Sequence, residues 1–337
     1  MRICSILILF IATLSLSAHS QDDRQYFIDA YKEQLAMIQG QKPIDFKRAV
    51  FLTENSYYKG KLNYQTYCTD ISNIGLKLKK MIKLKGIEKY KTAGNWAAFA
   101  YMTDSSSVNN FKPYRYDFDD FMGDKDWTKQ FITKLIKTHT GNCHSLPFLY
   151  KILVEEIGAK ASLALGPNHV YIKHIDENGQ WANLELTSGN ITRDQWIIKS
   201  MDIPIEAIKS GAYMAPLTDK ESIAFTMFDL AETYKFQHGV DEFLMKIIDT
   251  AINYFPTCIP LYCLKSDCCV KLVKKENKKD VPNKDFISKN VALYKAAQAK
   301  IDELGYKDET PEAYKAFLQG IENEKKKRGL VKSNLVK

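Results

Sequence analysis

Histidine, glycine and proline are scarce in this chain: its 337 residues hold 6 His, 16 Gly and 10 Pro, with 7 Cys. Four cysteines (Cys258, Cys263, Cys268 and Cys269) cluster, but without paired two-residue gaps or a nearby histidine. That spacing argues against a zinc ribbon and leaves buried thiols or a disulfide among them as the expectation. No basic motif interleaved with aromatics is present, which argues against a nucleic-acid module. No full internal repeat is visible, so a long solenoid is not expected. Long apolar runs are missing after the first twenty residues, which excludes a multi-span membrane protein.

What remains is the balance of a folded globular protein, 45% apolar and 26% charged. The length suits one large or two ordinary domains. The net charge of +8 comes mostly from clusters at Lys271 to Lys279 and Glu324 to Arg328, which read as solvated helix faces or tails.

The N-terminus carries the one long apolar run. Arg2 precedes Ile3 to Leu16, and Ser17-Ala18-His19-Ser20 leads to the polar Gln21-Asp22-Asp23. A basic start, a short apolar middle and small residues before a polar break predict a secretory signal peptide, residues 1–20, cut after Ser20. The mature protein is then expected outside the cytoplasm, periplasmic or extracellular, with no membrane span left.

Residues 21–126 read as a helical region and connection. Tyr26, Phe27, Ala30, Tyr31, Leu35 and Ile38 recur at helical spacing, and Pro43 breaks the pattern. Helices are expected over Phe46–Thr53, over Tyr64–Leu84 and around residues 95–101. Asp104 to Asp126 lacks periodicity and reads as a long surface connection.

Residues 127–200 read as a core. A helix carrying Phe131, Leu135 and Ile136 is expected to end near Thr138 to Gly141. A second is expected to start at Asn142-Cys143, with Leu146, Leu149, Tyr150, Leu153 and Ile157 on one face and Gly158 as its stop. Strands follow at Ala161–Leu165, His169–His174 and Trp181–Leu186, the last two joined through an Asn-Gly turn. From residue 201 to 337 helices return, expected over Lys220–Tyr234, Val240–Tyr254, Leu261–Val273, Lys289–Leu304 and Pro311–Lys326, after a short one at Asp194–Ser200.

One ordered set of residues carries chemistry. Cys143 sits at a helix start, where unpaired N–H groups and the helix dipole favour a thiolate, the nucleophilic form. Those N–H groups are also placed to receive an oxyanion. His169 opens a strand after Gly166-Pro167-Asn168. An odd-length loop to the next strand sets His169 opposite or diagonal to Glu185, which can orient the ring while its other nitrogen faces Cys143.

Gly141-Asn142-Cys143-His144-Ser145-Leu146-Pro147-Phe148-Leu149-Tyr150, Asn168-His169-Val170-Tyr171 and Trp181-Ala182-Asn183-Leu184-Glu185-Leu186-Thr187 resemble the transglutaminase-like superfamily. The resemblance covers about residues 127–190. It is closest to exported bacterial members with a helical, tetratricopeptide-like region appended; Ala251, Tyr254 and Pro256 resemble the end of one such unit. It implies an α+β fold, a nucleophile helix packed on an antiparallel sheet and flanked by helical regions. It also implies Cys143 as nucleophile, His169 as base and Glu185 as orienting acid. That superfamily usually places aspartate followed by proline where this chain has Glu185-Leu186, so the third role is the loosest fit. Asn142, His144 and Asn168 are expected to contact substrate, His144 reading first as a hydrogen bonder of the helix turn and only second as a substrate contact.

The function implied is cysteine-dependent hydrolysis of an amide or peptide bond through a thioester, with a peptide or protein substrate and no cofactor or metal. Its rival is a non-catalytic scaffold of the same fold that binds a peptide or protein. A metal protein built on the four clustered cysteines ranks below both.

Overall fold

The computed structural model describes residues 23–123, 125–307 and 311–327. The expected signal peptide lies outside the described residues. The chain is mixed, mainly helical with two small sheets, as an α+β reading requires. Among the described residues no helix is long and apolar enough to cross a membrane.

Four helices come first: α1 (23–38), α2 (Phe46–Tyr57), α3 (Tyr64–Lys85) and α4 (Ala93–Thr103). Their ends follow local chemistry. The Asp45 and Asn63 side chains cap α2 and α3 by accepting the N–H groups of Arg48 and Thr66, and Gly86 closes α3 at φ 65°. The stretch expected to be a surface connection does more than connect. Tyr114, Asp117 and Phe118 are buried, and Arg115–Tyr116 forms a short strand, β1. After α5 (Ile132–Thr138), β1 pairs in parallel with β2 (Thr140–Gly141), bringing Tyr116 level with Gly141.

Helix α6 (Ser145–Glu156) lies at the centre of the molecule. It packs against α3, α4, α5 and the main sheet, and every residue from Ser145 to Val154 is buried. The sequence suggests one apolar face; the packing encloses the helix all round, as expected of a helix apolar on most sides. Lys151, 2% exposed, is the charged exception, and it donates to Glu155 and to the Ala161 carbonyl.

The main sheet is an antiparallel meander of β3 (Ser162–Gly166), β4 (His169–Ile175), β5 (Trp181–Glu185) and β6 (Asn190–Thr192). Gly166 pairs with His169, so Pro167 and Asn168 alone turn the chain, and Asn168 takes φ 50°, as the second corner of a type II turn requires. The β4–β5 loop is residues 176–180, and Ile175 pairs with Trp181. One face carries Leu163, Leu165, Val170, Ile172 and Leu184, all buried. The other carries His169, Tyr171, Lys173, Asn183 and Glu185. Lys173 donates there to the Met214 carbonyl at 3.1 Å, and Asn183 to Asp194 at 2.6 Å. Residues Met214 and Leu217 hydrogen-bond along the outer edge of β3, which protects it.

Helices α7 (Asp194–Ser200), α8 (Ile205–Lys209), α9 (Asp219–His238), α10 (Glu242–Tyr254), α11 (Ile259–Glu276), α12 (Lys284–Glu303) and α13 (Pro311–Lys327) complete the chain. Helix α9 packs on both α2 and α10, and α11 on α12. Buried side chains from both helical regions and from the sheet form one contiguous core. Cys258, Cys263, Cys268 and Cys269 are free thiols on or beside α11, three of them buried. Burial pushes the Cys268 thiol up to about 12 and that of Cys258 up as well, the inert state of a core cysteine. Among the described residues no group of three or more side chains is placed to hold a metal ion.

Candidate active site

Cys143 occupies a turn just before α6, held by its neighbours on both sides. Asn142 is wholly buried, and its side chain makes every bond it can. Its Oδ1 accepts the N–H groups of His144 and Ser145 at 3.1 and 3.0 Å. Its Nδ2 donates to the Phe121 carbonyl and to Gln130 Oε1 at 3.0 and 2.9 Å. Asn142 therefore ties down the turn that leads into α6, and its buried, fully bonded amide leaves nothing free for a substrate. It also takes two of the N–H groups that could have met an oxyanion. The N–H of Cys143 itself donates in none of these bonds.

Gly141 is needed by the same turn. A Cβ there would lie 2.6 Å from Ser145 Oγ and 2.8 Å from a Leu135 methyl carbon. The hydroxyl of Ser145 accepts the Asn142 N–H at 3.1 Å and donates to the Lys129 carbonyl at 3.2 Å, so it has no room to move aside.

Across from this turn, β4 presents His169, whose side chain is 16% exposed. Its Nε2 stands 2.6 Å from Glu185 Oε2. The Cys143 thiol lies within hydrogen-bonding reach of the same ring, and the sulfur is 3.8 Å from the Asn168 carbonyl oxygen. Nε2 is committed to the carboxylate, and the Cys143 side chain acts on the same ring. Burial on its own would depress the His169 pKa; the Glu185 carboxylate and the Cys143 side chain outweigh it and raise the ring to about 10.

Glu185 is 3% exposed and tightly held. Its second oxygen accepts the N–H and the hydroxyl of Thr187 at 3.0 and 2.6 Å. Burial acts to raise its pKa, but His169 and Thr187 pull it below the usual carboxylate range. Thr187 thus supplies the rigidity that a glutamate in place of aspartate would otherwise lack.

The other two residues expected to touch substrate divide. Asn168 is exposed and borders Cys143 through its carbonyl. His144 points the opposite way, into the interior. Its Nε2 lies 2.9 Å from Asp229 Oδ1 on α9, and its ring packs 4.0 Å from that of Phe148, centroid to centroid. Burial lowers its pKa, while Asp229 and the Gln130 carbonyl more than reverse that. Cys143 and His144 thus turn to different partners, Cys143 to Asn168 and His144 to Asp229.

Tyr116 has no counterpart in the sequence reading. The parallel β1–β2 pair places it beside the residues leading into Cys143, and its ring packs on Phe118 and Phe121. Burial, then the charges of Cys143 and Glu185, push its hydroxyl well above the usual phenol range. A tyrosine in an aperiodic stretch between helices offers no local sign of this role.

Comparison with known proteins yields no family model, no curated protein and no solved structure that matches the chain.

Proposed function

We propose that the chain is an exported, transglutaminase-like cysteine hydrolase that cleaves amide or peptide bonds through a thioester. One observation supports this reading: the Glu185 carboxylate is bonded to Nε2 of His169, and the Cys143 side chain lies beside the same imidazole. The same side-chain order on unrelated scaffolds performs acyl transfer whatever the fold.

A ring raised to about 10 is an imidazolium at neutral pH. An imidazolium beside a cysteine is the setting in which thiolates form. The sulfur attacks the carbonyl carbon and a C–S bond forms. The charge on oxygen is received by the Cys143 N–H and by the Tyr116 hydroxyl, which lies near enough to feel the Cys143 charge. As the C–N bond breaks, His169 gives its proton to the leaving nitrogen. The neutral ring then takes a proton from water, whose oxygen attacks the thioester. The C–S bond breaks, the acid leaves, and the resting pair is restored. His169 therefore starts the cycle as the acid and acts as base only in its second half. Water is the second substrate most abundant outside a cell, which favours hydrolysis over cross-linking.

Labelling the purified full chain with a thiol-reactive acyl probe, followed by mapping of the adduct, tests this. Modification is expected on Cys143 and to be lost in His169→Ala. Equal labelling in that variant, or labelling confined to other cysteines, removes the enzyme and leaves a binding scaffold.

A further inference from the structure

Directly behind the nucleophile is a second histidine–carboxylate pair that the proposed chemistry does not use. His144 Nε2 faces the Asp229 carboxylate at 2.9 Å, and its Nδ1 faces the Gln130 carbonyl oxygen at 3.3 Å. Burial raises the Asp229 carboxyl above its usual range and the His144 ring acts against that; with Asp229 ionised, neither the carbonyl nor the carboxylate can donate, so both ring nitrogens must. A histidine with two acceptors and no donor is satisfied only as an imidazolium. The Phe148 and Phe225 rings pack against it, and a cavity of about 20 Å³ bordered by Glu54, Gln130, Asp229 and Thr233 lies next to it. That space admits no more than a water, so the ring is not waiting for a substrate group.

We propose that His144 is a resident imidazolium and that Asp229, through it, is a positioning residue for Cys143. The inference rests on the reading of Cys143 as nucleophile. The chain of contacts is continuous. Asp229 on α9 holds His144; His144 holds the Gln130 carbonyl; the Gln130 side chain holds Asn142, which accepts from the N–H groups after Cys143. If the ring loses its extra proton, one of its two bonds goes, and the turn carrying the sulfur is tethered on one side only. The C-terminal helical region thereby sets the geometry of the nucleophile through a contact made 85 residues along the chain from His144, and its removal would disarm the site.

One other buried ionisable group faces this ring. Glu54 on α2 accepts the N–H groups of Ile132 and Thr133 at 2.6 and 3.0 Å, and burial raises it to about 7. Glu54 is common to parent and variant, so a comparison of the two isolates Asp229.

The test has two arms on the full chain. In the first, NMR of the histidine ring nitrogens follows His144 in the parent protein between pH 6 and 8. Two protonated nitrogens throughout are expected; a neutral ring at pH 7 overturns the proposal. In the second, iodoacetamide alkylation of Cys143 is compared in the parent and in Asp229→Asn, which keeps an acceptor and removes the charge. The variant is expected to be about tenfold slower at pH 8, with the deficit closing as pH falls and the ring is recharged. A ratio that stays constant with pH marks a purely structural pair and also overturns the proposal. Failure of the hydrolase reading shows differently: alkylation of the parent then becomes indifferent to His169→Ala, while the ring-nitrogen signature of His144 is unaffected.

Discussion

Glu185 lies one diagonal step from His169 across the β4–β5 pair, close enough that its Oε2 meets the ring nitrogen at 2.6 Å. Ile172 opposes Leu184, so the register carried on by one residue sets Glu185 opposite Tyr171 and two positions from His169. A shift of one residue would have put the carboxylate on the other face of the sheet. The pair is a consequence of an odd loop.

Glu185→Gln should keep the shape of this contact and lose its charge. The His169 pKa is then expected to fall from about 10 toward that of an ordinary histidine. Alkylation of Cys143 at pH 7 should slow by about tenfold or more, as when the orienting acid of a triad is neutralised. An unchanged rate would show that Glu185 only packs.

The pair also predicts how stability depends on pH. The His169 pKa is raised in the folded protein, so its contribution is complete below about 6.5, the ordinary histidine value, and fades as pH climbs toward about 10. Glu185 is lowered, so its contribution is present above the usual carboxylate range and lost on acidification. The Tm difference between the parent and His169→Ala should be greatest near pH 5–6.5 and shrink at higher pH. A difference that widens from pH 7 to 9 contradicts this assignment.

Tyr116→Phe separates binding of the oxyanion from reactivity of the sulfur. Alkylation forms no oxyanion, so its rate should stay within about twofold of the parent, while turnover of an amide substrate should fall by about a hundredfold. Equal losses in both would mean that Tyr116 merely shapes the turn.

Asn142→Ala strips acceptors from two N–H groups and a donor from Gln130 Oε1 in a buried place. A destabilisation of about 2 kcal/mol is expected, together with a slower Cys143. Denaturant unfolding measures the first and alkylation the second.

Gly141→Ala drives a methyl group into Ser145 Oγ and Leu135. Overpacking of this kind costs about 1–3 kcal/mol, read as a lowered Tm. Full stability in this variant would mean the turn has slack that its contacts do not suggest.

The helices that were legible are those with a period and a punctuation mark. Tyr64–Lys85 ends on Gly86, and Asp194–Ser200 was readable to the residue. The shortest elements have no such signal. Helix α8 has only five residues, too few to establish a period, and β6 has three, of which Ile191 is exposed instead of alternating inward. The stretch around Tyr116 hid a strand because two residues pairing in parallel leave no pattern in either segment.

Within the site, what could be read was local. The His169–Glu185 contact follows from two short turns and the alternation of strands, both written in neighbouring residues. The work of His144 and Asn142 could not be read, because it depends on α9 and on the Phe121–Gln130 segment coming to rest behind the nucleophile. The sequence alone determined which side chains share a strand face and where helices stop, since those are matters of period and turn chemistry. Only the tertiary structure decided that His144 turns to Asp229 and Asn142 to Phe121 and Gln130, because that choice is made by packing between segments far apart in the chain.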